Sequence, residues 1–486
     1  MVQLFQRYVP YSSVLDFLVQ SLLCLTAFTL SVQFAFYLHL APTLPSLPGV
    51  RAGRTLTTVA VLVTVFYLTG YFERRNHLTV SRFVPRLLQA GPLAALTLFA
   101  MYAFVPVVAL PWPVAVAGLA IMAVLMVGWH ALAPIIVQHE SLAERVVIIG
   151  EGSLARQIAA CTENARPWGL RLAGYIPVPD ERQPAEPSST PAAAARARDV
   201  LPFPTPQTIN APALGRLADL EAILTEQDAH TIVVALTDRR GKLPLGTLIN
   251  AKLRGIQVFD AIDFYERLTG RMLVARMRPS TIIFAKGFVP SRATQFLKRV
   301  LDVVAATTLL VLTAPAMAAV AVAVTVSSPG PAIFRQGRVG FLGAPFTMLK
   351  FRTMRLGSEC SGARWAAQDD DRITPAGRFL RKSRLDELPQ LWNILCGQMS
   401  FVGPRPEQPT FVRTLRQAIP YYDQRHAVRP GLTGWAQVKY PYGASVEESE
   451  EKLEYDLYYI KRLSVAFDLT IMFETVRVML TGRGAR

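Results

Sequence analysis

The sequence predicts a membrane protein in three parts. These are a four-helix transmembrane bundle (residues 1–140), an α/β Rossmann-like cytoplasmic domain (141–285), and a mainly α domain (290–486) entered by a re-entrant, proline-kinked membrane helix (297–326). Three observations carry this reading. Four long apolar runs fill the first part, a strand–glycine–helix pattern begins at Arg145, and a fifth apolar run, broken by Pro315 and flanked by cations, opens the last part.

The composition agrees. Of the 486 residues, 51% are hydrophobic, yet the net charge is +16. A basic and apolar chain points to a membrane, whose cytoplasmic face is anionic. Nucleic acid also attracts basic proteins, but it leaves the apolar content unexplained. The four cysteines are scattered with no CxxC, which argues against a disulfide framework or a structural zinc site and fits a reducing compartment.

The runs near 14–40, 55–72, 87–110 and 112–137 approach or exceed the 18–20 residues a spanning helix needs. The first is too long for a signal peptide and lacks a cleavage site. The link "ERRNHLTVSRFVPR" is rich in arginine, whereas the link between the third and fourth runs carries no charge. The positive-inside rule then places the N-terminus and everything after Val137 in the cytoplasm. Arg51 and Arg54 fall on the outer side, against the rule.

"RVVIIGEGSLARQIAA" reads as a buried strand, a glycine turn and a helix start; "HTIVVALTD" and "RGIQVFDAIDFYERL" read as later units of a parallel sheet. Between them a Pro/Ala-rich stretch near 177–205 reads as a flexible insertion. Gly150, Gly152 and Ala155 match a G-x-G-x-x-A dinucleotide fingerprint. The same glycines also suit any tight strand-to-helix turn, and the acidic ribose ligand expected about 20 residues on is missing.

The fifth run, Val300–Val326, would be about 40 Å long as a straight helix, enough to cross a core of roughly 30 Å. Pro315 at its middle removes a helix hydrogen bond. Lys298 and Arg299 precede the run, and Arg335 and Arg338 follow it. An ordinary kinked span and a helix–break–helix hairpin both fit; cations at both ends favour the hairpin, which returns to the cytoplasmic face.

Residues 335–384 then hold eleven Lys/Arg against four acids. They lead into "RKSRLDELPQLWNIL", where Pro389 is tolerated only in a first turn, so a helix is expected to start near Asp386. Asp386, Gln390, Asn393 and Gly397 would share one face of it. The helix dipole together with Arg381, Lys382 and Arg384 would favour ionised Asp386, which suits a nucleophile, while Glu387 could hold a divalent metal. An acidic N-cap pair offsetting the basic run is the plain alternative. Asp369–Asp371 read as a solvated loop and His426 as structural.

At this point a resemblance enters. "FLKRVLDVVAATTLLVLTAPAM", "GPAIFRQGRVG", "MLKFRTM", "DRITPAGRFLRKSRLDELPQLWNIL", "GQMSFVGPRP" and "RPGLTGWAQV" together resemble the bacterial sugar transferases, or monotopic phosphoglycosyl transferases. The likeness runs from Arg292 to the C-terminus, and the parts ahead of it resemble the long members that initiate exopolysaccharide or O-antigen assembly. It implies transfer of a sugar-1-phosphate from a UDP-sugar to polyprenyl phosphate at the inner face of the bacterial cytoplasmic membrane, with release of UMP. By that resemblance Asp386 is the nucleophile and Glu387 the Mg²⁺ ligand. Arg381, Lys350 and Arg352 would bind phosphate, and Pro404, Arg405 and Pro406 would lie beside the nucleotide. The chain departs from the family in one place: many members carry Ser-Pro at the hairpin break, and here it is Ala314-Pro315.

The partners expected are a UDP-sugar, a polyprenyl phosphate lipid, the bilayer and a second copy of the chain in a homodimer, with no nucleic acid. Two other functions compete. A non-catalytic scaffold of a polysaccharide assembly system would not need the intact Asp386–Glu387 pair. An NAD-dependent sugar-nucleotide enzyme commonly uses Tyr-x-x-x-Lys, and no Tyr here has Lys four residues on.

Overall fold

The computed structural model describes residues 2–4, 7–9, 11–37, 47–68, 80–137, 143–166, 169–178, 208–236, 243–277, 279–285, 287–355, 372–440 and 445–481. The arginine-rich link before residue 80, most of the Pro/Ala-rich insertion, and Asp369–Asp371 lie outside them. The chain forms two compact units, divided at Phe264/Tyr265.

In the first unit, helices α1 (Tyr11–Tyr37), α2 (Pro48–Leu68), α3 (Val80–Phe104) and α4 (Trp112–Val137) form a bundle. Helices α1, α2 and α4 are long and apolar enough to cross a membrane; the describable apolar section of α3 is Gly91–Phe104. Cys24, Phe28, Leu62, Phe66, Leu98 and Met126 fill the centre. Two polar contacts cross between helices: Thr58 with the Tyr102 hydroxyl at 2.8 Å, and Trp129 Nε1 donating to Asp16 at 2.7 Å. The two arginines that the charge rule places on the outer side are engaged locally. Arg54 donates to the Ala109 carbonyl at 3.0 Å, and Arg51 lies 3.8 Å from the Phe36 ring centre. These contacts give both a place that the charge rule does not foresee.

The same unit holds a parallel sheet of β1 (Glu144–Ile149), β2 (Leu170–Ile176), β3 (Thr231–Val234) and β4 (Gln257–Asp260), in the order β2-β1-β3-β4. Helix α5 (Ser153–Asn164) joins β1 to β2; α6 (Leu220–Glu226) and α7 (Leu245–Leu253) pack on the face of Val147, Ile149, Ile232 and Val234. The three fingerprint residues have structural reasons. Gly150 adopts φ +125°, and a Cβ there would meet the Ala235 carbonyl at 2.7 Å. Gly152 is extended and caps α5, and Ala155 is fully buried. A groove of about 620 Å³ lies at the opposite, amino ends of the strands, lined by Glu144, Glu221, Asp228, His230 and Arg254.

The second unit begins earlier than the 285/290 boundary read from sequence, because residues after Tyr265 pack into its core. Met272, Val274 and Met277 join Leu391, Met399, Trp435, Leu457 and Phe467. Buried Arg271 stands between Glu451 and Glu454 at 3.4 and 3.3 Å, and Trp435 Nε1 donates to the Gly270 carbonyl at 2.7 Å. These partners lie some 180 residues away in sequence, beyond the reach of a local pattern.

Helix α8 (Arg292–Ser327) is the fifth apolar run. Its helical assignment continues through Pro315 rather than breaking there. Thr313 donates its hydroxyl to the Leu309 carbonyl at 2.7 Å, whereas the carbonyl that Pro315 leaves without a helical N–H is that of Val311. Near its start, Lys298 pairs with Asp468 at 2.6 Å, and Arg299 donates to the carbonyls of Ile394 and Leu395. Buried Asp302 accepts from the Ser400 hydroxyl and the Phe401 N–H at 3.0 and 2.8 Å. Near its end, Met317, Val320 and Val324 pack with Phe351, Leu380, Leu385 and Leu388. The middle is bare: Val311 and Leu312 are 68% and 70% exposed.

Asp302 is the buried acceptor for two donors. Replacing it with Ala should therefore destabilise the second unit by about 3 kcal/mol, read as a lower thermal midpoint of detergent-solubilised protein. Asn, which keeps one acceptor, should cost less; equal midpoints for all three proteins would exclude this anchoring role.

Candidate active site

Two antiparallel strands, β5 (Ile333–Val339) and β6 (Pro345–Phe351), carry Lys350 on the second, and Thr353 follows. Helix α9 (Pro375–Ser383) begins at Thr374, whose hydroxyl accepts from the Gly377 N–H, and carries Arg381 in its last turn. Arg384 then adopts φ +59°, a left-handed conformation that costs a non-glycine residue roughly 1 kcal/mol or more. It ends α9 and turns the chain into a 3₁₀ turn, Leu385–Glu387, followed by helix α10 (Gln390–Leu395).

The single helix expected from Asp386 onward is therefore two short pieces. The left-handed residue lets α9 stop and the carboxylates face inward together. Asn393 fixes α10 against β6: its oxygen accepts from Leu349 N–H at 3.0 Å, and its amide donates to the Thr347 carbonyl at 2.8 Å.

The last side chain arrives from a distant loop. Strands β7 (Ser400–Val402) and β8 (Gly431–Thr433) run parallel. The chain leaving β7 passes closely over β8 and its end at Gly403, Gly431 and Gly434, where an added Cβ would collide with backbone. This crossing presents Arg405, whose Nη2 donates to Glu387 Oε1 at 3.1 Å and whose Nη1 donates to Gln437 Oε1 at 3.3 Å. Buried Arg425, paired with Asp456 at 2.8 Å, holds the Arg405 carbonyl at 3.1 Å.

Around the pair, Lys350 stands 3.6 Å and Arg384 3.7 Å from the same Glu387 oxygen. Arg381 is oriented by Thr353, to whose hydroxyl its Nε donates at 3.0 Å. Burial alone would raise the Glu387 carboxyl, but Arg405, Lys350 and Arg384 outweigh it and hold it down at about 2. Asp386 goes the other way. Burial, with the Glu387 charge beside it, pushes it above the ordinary aspartate range, against Lys350, Arg381 and Arg405. The cations do favour ionised Asp386, as expected, but burial and the Glu387 charge outweigh them, and Asp386 is 7% exposed.

The structure brings together Asp386, Glu387, Lys350, Arg381 and Arg405 from the sequence-expected set. It places Arg352 elsewhere: buried, its guanidinium donates to the carbonyls of Ser328 and Pro329 and clamps the chain leaving α8. Pro404 and Pro406 contribute backbone carbonyls, to Gly431 N–H and Arg338. Burial first, then Arg425, lower His426 to about 4, so it is neutral near pH 7 and packs beside Tyr422. Thr353, Arg425 and Gln437 escape sequence reasoning, since each acts through a partner fixed only by folding. Arg384 is visible as one more cation, but its left-handed turn is not.

Among the described residues no group of three or more His, Cys, Asp or Glu side chains is placed to hold a metal. Mg²⁺ is nevertheless commonly bound by one or two carboxylates together with substrate phosphates, and Glu387, kept ionised by its cations, fits that donor set.

The two carboxylates should respond oppositely to neutralisation. A carboxyl held low stabilises the fold above its ordinary range near pH 4.5, and that is lost as pH falls toward 2. Glu387→Gln should thus cost roughly 3 kcal/mol at pH 7. A carboxyl pushed up costs stability once ionised, so Asp386→Asn should raise the thermal midpoint. Shifts of the same sign would contradict this arrangement.

The comparisons with known proteins follow the site. Residues 293–482 match the family model for bacterial sugar transferases. A UDP-N-acetylgalactosamine-undecaprenyl-phosphate N-acetylgalactosaminephosphotransferase of Aeromonas hydrophila is 43% identical over 239 residues, covering 49% of this chain and 56% of the relative. A UDP-glucose:undecaprenyl-phosphate glucose-1-phosphate transferase of Caulobacter vibrioides is 45% identical over 197 residues, 40% of this chain and 74% of the relative. An exopolysaccharide production protein of Rhizobium leguminosarum is 38% identical over 195 residues, 39% of this chain and 98% of the relative. The chain spans about half the length of the longer relatives, 56% and 40% for two of them. With its carboxylate pair and cations inside the matched region, the chain belongs to the bacterial sugar transferase family.

Proposed function

We propose that the protein transfers a sugar-1-phosphate from a UDP-sugar to undecaprenyl phosphate through an aspartyl-phosphosugar intermediate, and so initiates exopolysaccharide or O-antigen synthesis. The observation that carries this is the buried Asp386–Glu387 pair among Lys350, Arg381, Arg384 and Arg405. The Asp386 carboxylate attacks the sugar-bearing phosphorus; the P–O bond to the α-phosphate breaks and UMP leaves with its electron pair. A phosphate oxygen of the lipid then attacks the same phosphorus, the acyl-phosphate bond breaks, and the carboxylate is regenerated. Lys350, Arg381 and Arg405 spread the charge on the phosphoryl oxygens. Glu387 would hold Mg²⁺, which would supply further neutralisation of that charge. One diphosphate replaces another, so a covalent intermediate lets two substrates of like charge visit one site in turn.

The membrane arrangement is part of the proposal. The bundle (1–140) spans the bacterial inner membrane, and the Rossmann-like (141–285) and catalytic (290–486) domains lie on its cytoplasmic face. The 36-residue α8 enters and returns, with its exposed middle in lipid. The supporting observation is that residues near both ends pack on the same second unit. A single crossing of about 54 Å of helix would send the ends apart. Cysteines introduced at Ser291 and Ser328 should react with an impermeant thiol reagent only from the cytoplasmic side; labelling from opposite sides would exclude re-entry.

Purified protein given Mg²⁺, undecaprenyl phosphate and a panel of UDP-sugars should release UMP, and Asp386→Asn should release none. Since Asp386 is pushed up, release should fall on the acid side with a midpoint above the ordinary aspartate range. Release of UDP would mean ordinary glycosyl transfer and would sink the covalent mechanism.

A further inference from the structure

Just ahead of α8 the chain holds large apolar side chains in the open. A short helix, Pro279–Phe284, ends with Ile283 and Phe284, 71% and 82% exposed, and Val289, three positions before α8, is 89% exposed. The segment is nevertheless pinned to the second unit. Ile282 and Phe288 pack on its core. Gly287 adopts φ +120°, and a Cβ there would collide with the Lys461 carbonyl. What the pinned segment turns outward is apolar.

A single exposed apolar residue needs no account, but here the surface continues into α8. Phe296, Val300 and Val304 recur at four-residue spacing on one side of its first turns, all of them exposed, and Val311 falls on that side further along. The opposite side carries Lys298 and Asp302, which bond to the unit. One apolar stripe therefore runs from the start of α8 into its bare middle.

Charge indicates what covers this surface. From Arg276 to Arg292 the sequence holds four Lys/Arg and no acid. Apolar side chains interspersed with cations suit the boundary between anionic headgroups and acyl chains. A second copy offering the same patch about a two-fold axis would instead set these cations against one another.

We infer that the segment Pro279–Val289 is an interfacial membrane contact of the second unit: Ile283, Phe284 and Val289 enter the headgroup–acyl boundary of the bilayer beside the start of α8. The inference rests on the reading that the middle of α8 lies in lipid. The segment stands ahead of the residues that match the sugar transferase family, 293–482, so it seats the second unit on the bilayer through a part of the chain outside that match.

The test uses the full-length chain in vesicles of phosphatidylethanolamine and phosphatidylglycerol, with Cys360 and Cys396 changed to Ser and the buried Cys24 and Cys161 left in place. Bimane is attached to one introduced cysteine at a time: Phe284→Cys, Val289→Cys, Leu312→Cys in the middle of α8, and Asp423→Cys on the exposed surface of the unit. A nitroxide carried just below the lipid headgroup should lower the emission of the labels at Phe284 and Val289 by about half, with aqueous iodide barely reaching them, and the label at Asp423 should show the reverse.

Quenching of both labels by iodide, with the lipid nitroxide without effect, would overturn the inference. Protection from both quenchers would overturn it too, since a protein surface would then cover the patch. The label at Leu312 separates this contact from the reading of α8. If nitroxides on the acyl chains quench it while the labels at Phe284 and Val289 stay bright, the contact alone has failed; if they leave Leu312 bright as well, the placement of α8 in lipid has failed with it.

Discussion

Two adjacent carboxylates buried in one site repel each other, and the second unit is organised around relieving that repulsion at one of them. Three cations converge on a single oxygen of Glu387, at 3.1, 3.6 and 3.7 Å. They come from a strand, a turn and a loop well separated in sequence. With Glu387 held ionised, its own charge and the burial of Asp386 push the second carboxyl up. The pair is thereby split into two roles, an anchored anion that suits a cation ligand and a desolvated carboxyl beside it. Desolvation weakens the hold of water on an ionised carboxylate, which suits attack on phosphorus.

The loop that delivers Arg405 depends on contacts far from the site. Gly403, Gly431 and Gly434 allow two backbones to cross closely, and Arg425 with Asp456 locks the Arg405 carbonyl from beneath. Arg425 is buried against Tyr422 and Asp456, so its charge is matched where it lies. The same economy governs α8, an apolar helix tied down by polar groups at one end and apolar packing at the other. Lys298, Arg299 and Asp302 all bond to the unit it enters, and Arg352 clamps the chain as it leaves. Cations that read as a membrane-facing flank in the sequence are thus partly internal fasteners.

Seen by itself, the first unit has a different logic. Its bundle pairs buried polar groups both within a helix, as Gln20 with Asp16, and between helices, as Thr58 with Tyr102, and its sheet is filled by branched aliphatic side chains on both faces. The glycine turn after β1 has its own steric account at Gly150, which leaves the fingerprint without a need for a ligand.

The sequence alone determined the parts. Hydrophobic length identified the long apolar helices, and the shift to short β-rich runs identified the parallel sheet, because burial on both faces leaves a composition that can be read locally. The basic run before Asp386–Glu387 and the motifs around it pointed to the candidate site, since the proposed phosphoryl transfer would call on those residue types. Tertiary structure decided what each side chain does. Arg381, Arg384 and Arg352 are equivalent letters in a basic run, yet one is turned by Thr353, one is left-handed against Glu387, and one is spent on carbonyls at the end of α8. The direction of the Asp386 shift was misread for the same reason. A pKa depends on distances to charges and to solvent, and the decisive factor here, burial by the enclosing core, comes from chain segments that only folding brings near.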